Sequence, residues 1–175
     1  LDLAKEIEET KATTVFLGPP HAASMINAGL LKKYNFSSVR FSMFSGSACP
    51  PHILKTYREQ ISTHGGETSI GQLWGMTETA GATFCRDDGP KDLALKSAGF
   101  AAPGNEIRVV SAKNGEVVLA NNEGELQVRG SSVFPGYLNN PEANAGAFTA
   151  DGWFKTGDIA KIDEAGNLII TGRTK

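Results

Sequence analysis

Val39-Arg40-Phe41-Ser42-Met43-Phe44, then Gly46-Ser47-Ala48-Cys49, then Pro50-Pro51, set out an apolar strand, a tight turn and a helix start in close succession. The helix that follows carries Ile53, Leu54, Tyr57 and Ile61 on one face, and Gly65-Gly66 closes it. Working outward, Thr13 to Leu17 is β-branched and aromatic and ends at Gly18-Pro19-Pro20, after which Ala22, Met25, Ile26, Gly29 and Leu30 recur at helical spacing. On the other side, Thr68 to Leu73 supplies a third strand. Strands at 13 to 17, 39 to 44 and 68 to 73 with helices between them predict a parallel sheet covered by helices. A short helix capped by Asp2 and running to Lys11, with Leu3 and Ile7 on its buried side and Glu6, Glu8 and Glu9 outside, leads into the first strand.

After Arg86-Asp87-Asp88-Gly89-Pro90 the signal changes: no helical period of any length returns, and short strands alternate with turn dipeptides. Ile107 and Val109, then Val117 and Leu119, flank Asn114-Gly115 as in a hairpin. Glu125 to Arg129 alternates, and Ile159 to Ile162 is matched to Leu168 to Ile170 across 163 to 167. The fold class expected is α/β: part of a parallel or mixed sheet layer with helices, followed by a β-rich, distorted barrel-like lobe. The division expected is 1 to 90 and 91 to 175, with the boundary near residues 86 to 94.

The 175 residues are 40% apolar and 8% aromatic, a globular composition. A formal charge of -2, from 17 basic and 19 acidic side chains, gives no field to attract nucleic acid or anionic lipid. Cys49 and Cys85 lack metal-ligand spacing, and a chain of this size needs no disulfide staple, so a reducing cytoplasm is the expected home. No apolar run reaches the roughly 20 residues of a membrane span, and no charged-then-apolar leader stands at the start. The chain starts at Leu1 and stops at Lys175 directly after a motif, which reads as a piece of something longer.

In any parallel sheet of this kind, ligands sit beyond the carboxyl ends of the strands. Two segments fall there. Gly46-Ser47-Ala48-Cys49-Pro50 suits any tight strand-to-helix connection, and equally suits close approach of backbone to a flat ring. Gly71-Gln72-Leu73-Trp74-Gly75-Met76-Thr77-Glu78 sets a hydroxyl beside a carboxylate, a pair that can hold a phosphate and its magnesium ion, next to an aromatic face suited to a purine. Thr77-Glu78 also fits an ordinary helix N-terminus, and Asp158 in Thr156-Gly157-Asp158 fits an ordinary turn. His21, His52 and His64 show no triad or metal spacing and are assigned no chemistry; His21, after Gly18-Pro19-Pro20, could border a pocket.

Four ordered stretches carry a resemblance. They are Gly71 to Glu78, Gly136 to Glu142, Asp151 to Asp158 with Phe148 before it, and Thr171-Gly172-Arg173-Thr174-Lys175. The chain resembles the adenylate-forming (AMP-binding) superfamily of acyl-CoA synthetases, 4-coumarate-CoA ligases, luciferases and peptide-synthetase adenylation domains, as an internal fragment of their large N-terminal domain.

The resemblance implies that Thr77 binds the α-phosphate and Glu78 the magnesium ion, these two being the catalytic pair. Gly46, Ser47, Ala48, Cys49, Gln72, Leu73, Trp74, Gly75 and Met76 line the nucleotide. Asp158 accepts from both ribose hydroxyls, Arg173 is the second ribose and phosphate partner, and Ile170 packs on the nucleoside. The acyl group lies against Gly46, Gly75, Gly81 and Ala82. Relatives restricted to acetate carry a Trp at the position of Gly75, so an open floor and a larger acid are expected here. Cys49 stands where a smaller residue is usual, and Trp74 where tyrosine is usual. Lys175 falls on the hinge to a C-terminal lid.

By that resemblance the parent enzyme is an acid-thiol ligase that uses ATP, Mg2+ and coenzyme A to turn a small-molecule carboxylic acid into its adenylate and then its thioester. A carrier protein as acceptor, and a non-catalytic nucleotide-binding fragment, are the alternatives. A Gly- and Ser/Thr-rich phosphate loop before Leu1 and a lid with its lysine after Lys175 are the expected missing partners, so the isolated piece is expected to be inactive.

Overall fold

The computed structural model describes residues 3 to 86 and 89 to 174. The cap expected at Asp2 and the hinge expected at Lys175 lie outside the described residues. The chain divides into two compact units: one holds residues up to Leu73 together with Cys85–Lys96, the other Trp74–Phe84 and the stretch from Ser97 onward.

The first unit opens with α1 (Leu3–Thr10), which buries Ala4 and Ile7 and turns its glutamates outward. Strands β1 (Thr14–Leu17), β2 (Phe41–Phe44) and the first residues of β3 (Ser69–Met76) are parallel neighbours in that order, with Leu17 opposite Phe44 and Phe44 opposite Gln72. Helices α2 (Pro19–Asn27), α3 (Leu30–Lys33) and α4 (Pro51–Ser62) lie in the crossovers, and the two longer ones carry proline in the first turn, where a missing N–H costs nothing. The helical period through Gly29 is not one helix, because Gly29 adopts φ 68° and separates α2 from α3. Leu17 and Phe44 from the strands meet Met25, Leu31, Leu54, Tyr57 and Ile61 from the helices. Phe44 and Tyr57 meet edge to face at 5.2 Å. Each such side chain contributes about 1.5 to 3 kcal/mol by leaving water.

In the second unit the end of β3 turns into β4 (Ala80–Phe84), which pairs antiparallel with β5 (Phe100–Ala101). A four-stranded antiparallel sheet follows, in the order β6 (Asn105–Val110), β7 (Gly124–Gly130), β8 (Phe154–Ile162), β9 (Leu168–Arg173). Among the described residues it is an open sheet and closes no barrel. Val109, Leu126, Val128, Ala160, Leu168 and Ala82 form its core.

Two local expectations change. The Asn114-Gly115 turn forms, with Ser111 N–H donating to Glu116 O at 2.8 Å, but only an isolated bridge joins Val110 to Val117. Val117 and Leu119 are 64% and 81% exposed, and the regular partner of β6 is β7, because burial of Leu126 and Val128 on β7 outweighs the local hairpin. The second change is a helix, α5 (Pro141–Ala147), in a region read as free of helix. It buries no side chain, so it shows no apolar period; Asn140 Oδ1 accepts from Ala143 N–H at 3.1 Å and Pro141 occupies its first turn. Among the described residues no helix is long and apolar enough to cross a membrane.

Candidate nucleotide site in the second unit

The stretch expected to hold phosphate is the tip of a hairpin. β3 runs to Met76, Thr77 and Glu78 form the turn with Thr79, and β4 returns from Ala80. Thr79 is fully buried; its N–H donates to Met76 O at 3.1 Å and its hydroxyl accepts from Met76 N–H at 3.2 Å, which pins the turn from inside. Thr77 is exposed and Glu78 half-buried, so both remain available to a ligand.

The hairpin gives Gly75 a local constraint beside the open floor expected of it. A Cβ there would stand 1.7 Å from the Ala80 carbonyl oxygen and 3.1 Å from Gly81 Cα, so the returning strand occupies the space a side chain would need. A side chain at 75 in this chain would therefore require the returning strand to shift. Ala82 is also fully buried, with its methyl group in the core of this unit, whereas Gly81 is half-buried.

Thr156-Gly157-Asp158 is a bulge in β8. Across the β7–β8 ladder Glu125 pairs with Ile159 and Gln127 with Lys155, so the three residues 156 to 158 stand opposite Leu126 alone. Gly157 takes φ 73°, a conformation that a side chain disfavours. The Thr156 hydroxyl donates to Leu126 O at 2.8 Å and accepts from Asp158 N–H at 3.0 Å, replacing the ladder bonds the bulge removes. Bulges of this kind re-aim a side chain, and the one re-aimed here is Asp158.

Its carboxylate is held on both oxygens. Trp74 Nε1–H donates to Oδ2 at 2.9 Å, and Arg173 Nε approaches Oδ1 at 2.9 Å. The Asp158 side chain is 11% exposed and that of Arg173 62% exposed, so a nearly buried carboxylate is neutralised by a cation that reaches it from solvent. Arg173 lies directly opposite Asp158 because Thr171 is an extra residue in β9: Ile159 pairs with Gly172 but Ala160 with Ile170. Trp74 and Ile170 both rest partly buried against the same apolar cluster. The structure thus brings Trp74, Asp158, Ile170 and Arg173 together within one unit.

Glu78 is fixed by groups that the sequence reading did not single out. Phe134 N–H donates to Glu78 O at 2.8 Å, and the Tyr137 hydroxyl donates to Glu78 Oε1 at 3.0 Å. Tyr137 stands in a cluster of rings with Phe134 at 4.8 Å, and Phe134 in turn meets Phe148 and Phe154. Burial first, and then the Glu78 carboxylate, hold the Tyr137 phenol above its ordinary range, so it stays protonated as a donor. The signal was present in Gly136-Tyr137 within one of the matched stretches, but a hydroxyl 59 residues from its acceptor leaves no spacing to read.

A magnesium ion fits this arrangement. Among the described residues no group of three or more His, Cys, Asp or Glu could cage a metal. Magnesium is ordinarily held by one or two carboxylates together with substrate phosphates and water, and Glu78 offers one carboxylate whose Oε2 has no partner among the described residues.

The remaining expected contacts belong to the first unit, apart from Met76. Gly46, Ser47 and Ala48 are exposed after β2; Gly46 has φ 88° and nothing within 4 Å of where a Cβ would stand, so turn conformation rather than crowding accounts for it. Cys49 is buried in the core, and burial pushes its thiol up to about 11. Gln72 donates through Nε2 to Ala94 O, and Leu73 and Met76 are half-buried. His64 bonds the Leu31 carbonyl at 3.0 Å and His21 is exposed in the first turn of α2.

Comparison with known proteins adds to this geometry. The model of a family described as AMP-binding enzyme matches residues 1–138. The chain is 31% identical over 176 residues to 4-coumarate--CoA ligase-like 3 of Arabidopsis thaliana, covering 99% of this chain and 31% of that protein. It is 34% identical over 174 residues to the mitochondrial medium-chain acyl-CoA ligase ACSF2 of Danio rerio, covering 98% of this chain and 28% of that protein. The crystal structure of ATP-bound MatB from Rhodopseudomonas palustris superposes with a TM-score of 0.84 at 28% identity, over 98% of this chain and 33% of that one. The chain therefore spans less than a third of each of the two curated relatives.

Proposed function

Since the chain belongs to the AMP-binding enzyme family, we propose that its protein is an ATP-dependent carboxylic acid:CoA ligase, which forms an acyl-adenylate and pyrophosphate and then a thioester. The observation that carries this reading is the junction of Trp74, Asp158 and Arg173, residues that are distant in sequence yet joined at 2.9 Å on both oxygens of one carboxylate. A nearly buried carboxylate with two lone pairs on each oxygen can accept from ribose hydroxyls while keeping both protein donors. The exposed guanidinium beside it suits a phosphate or ribose oxygen.

In this reading Thr77 donates to the α-phosphate and Glu78 orients the magnesium ion, which supplies charge neutralisation as pyrophosphate leaves. Trp74 presents its ring to adenine and Ile170 packs on the nucleoside, with the strand end at Gly75 and Met76 beside them. Gly46, Ser47, Ala48, Cys49, Gln72 and Leu73 are the residues of the first unit to which the family resemblance gives a part in binding nucleotide. Gly81 borders the acyl group. The names of the relatives, a 4-coumarate-type and a medium-chain acyl ligase, favour an acid larger than acetate. The phosphate loop and the lid of this reaction are supplied by segments outside the 175 residues.

Acid-dependent exchange of pyrophosphate into ATP by the full-length protein tests the first half-reaction, across acetate, hexanoate, cyclohexanecarboxylate and benzoate. Glu78→Gln is expected to slow exchange by about 100-fold or more while leaving ATP binding close to normal. Thioester formation with coenzyme A tests the second half. No exchange with any acid, or an unchanged rate in Glu78→Gln, overturns the reading.

A further inference from the structure

Tyr137 hydrogen-bonds Glu78, a residue to which a metal role has been given, and its own backbone is held from α5. Asn144 Oδ1 accepts from Tyr137 N–H at 2.7 Å, and Asn144 Nδ2 donates to Tyr137 O at 3.0 Å. The Phe134 ring supports the phenol at 4.8 Å, and Phe134 N–H holds the Glu78 carbonyl at 2.8 Å. Backbone and carboxylate of Glu78 are thus both fixed by one segment, residues 134 to 137.

We propose that Tyr137 is a positioning residue for the metal: its hydroxyl occupies Glu78 Oε1, which holds the carboxylate in one rotamer and directs the other oxygen, Oε2, to the magnesium ion bound with the nucleotide. This rests on the reading of Glu78 as a metal ligand and extends it. A hydrogen-bonded carboxylate loses less rotamer freedom on binding a cation, and partners of a ligand that do not touch the metal commonly change metal affinity about 10- to 100-fold when removed. Asn144 serves the same end one step back, by fixing where the phenol starts.

The test is Mn2+ binding to the full-length protein with a non-hydrolysable ATP analogue, followed by electron paramagnetic resonance, together with the Mg2+ concentration that gives half-maximal pyrophosphate exchange. Tyr137→Phe keeps the ring against Phe134 and is expected to weaken Mn2+ about tenfold and to raise the Mg2+ requirement equally, with the rate at saturating Mg2+ little changed. In a Glu78→Gln background the same substitution is expected to shift neither quantity. Wild-type Mn2+ affinity in Tyr137→Phe, with Glu78→Gln impaired, overturns the positioning role alone. Unchanged affinity in Glu78→Gln removes the metal reading of Glu78 and the proposal with it. An equal loss from Tyr137→Phe in both backgrounds assigns the hydroxyl a general structural role and also overturns the proposal.

Discussion

Trp74 and Asp158 lie 84 residues apart in the chain, and the indole Nε1–H of one donates to Oδ2 of the other at 2.9 Å. A tryptophan at this position therefore offers more than a flat face: it holds a nearly buried carboxylate that a tyrosine ring of different shape would have to reach through its hydroxyl. Trp74→Phe keeps an aromatic face and loses the donor. We expect ATP to bind about tenfold more weakly, from the loss of a hydrogen bond to a charged group at roughly 1.5 to 3 kcal/mol partly offset by relaxation. Asp158→Ala should cost more, and chiefly in the apparent affinity for ATP, because ribose contacts are common to ground and transition states. Titration of ATP in pyrophosphate exchange checks both, and the double variant should lose less than the sum of the two.

Gly75→Ala should destabilise the hairpin by about 3 kcal/mol, at the upper end of single substitutions, since the new methyl group would stand 1.7 Å from a backbone oxygen. Faster hydrogen exchange at residues 74 to 84 of the full-length protein is the expected signature. Equal activity loss toward small and large acids would follow, whereas a pocket-depth role would spare the small ones.

Cys49 should resist alkylation in the native protein. Its thiol is buried and raised to about 11, so the reactive thiolate is scarce near neutral pH. Iodoacetamide followed by peptide mass analysis is expected to label Cys49 only after denaturant is added.

Asp151 makes a small, acid-sensitive contribution to stability. Its carboxyl lies below the ordinary value of 3.8, at about 2, first through the Arg108 guanidinium that meets both its oxygens at 2.8 and 3.2 Å and then through Thr149. A depressed pKa contributes stability that is present above 3.8 and is lost as the pH falls through about 2. The group is open to solvent, so the contribution is small and screened by salt. Melting temperature recorded from about pH 5 down to about pH 2 should fall less steeply in Asp151→Asn than in the wild type.

The strands and helices of the first unit were legible because their apolar residues repeat at the periods of the elements they form, as in Leu54, Tyr57 and Ile61 of α4, all fully buried. Helix α5 was not, because a helix without a buried face leaves only its cap, Asn140-Pro141, as a trace. The identities of Trp74, Asp158 and Arg173 were legible by resemblance, but their mutual bonds were not. Those depend on a bulge and on an added residue in a strand, which change register without changing any pattern of hydrophobicity. Tyr137 was passed over for the same reason: its acceptor is brought to it by the ring cluster around Phe134, not by nearness in the chain.

Thr171 is the added residue in β9. It carries no part of the ion pair, and the ladder absorbs it as a supernumerary residue, so that Arg173 still faces Asp158 across β8 and β9. Removing that one residue, with every side chain of the pair retained, would leave Gly172 opposite Ile159 and Arg173 opposite Asp158 in a ladder that runs on unbroken from Ala160 and Ile170, so the guanidinium would stay on the side of the carboxylate and only the local bend would be lost. Length is forgiving at this point of β9 and chemistry is not: loss of the bulged residue leaves the pair facing, whereas replacing the arginine removes the cation from Asp158.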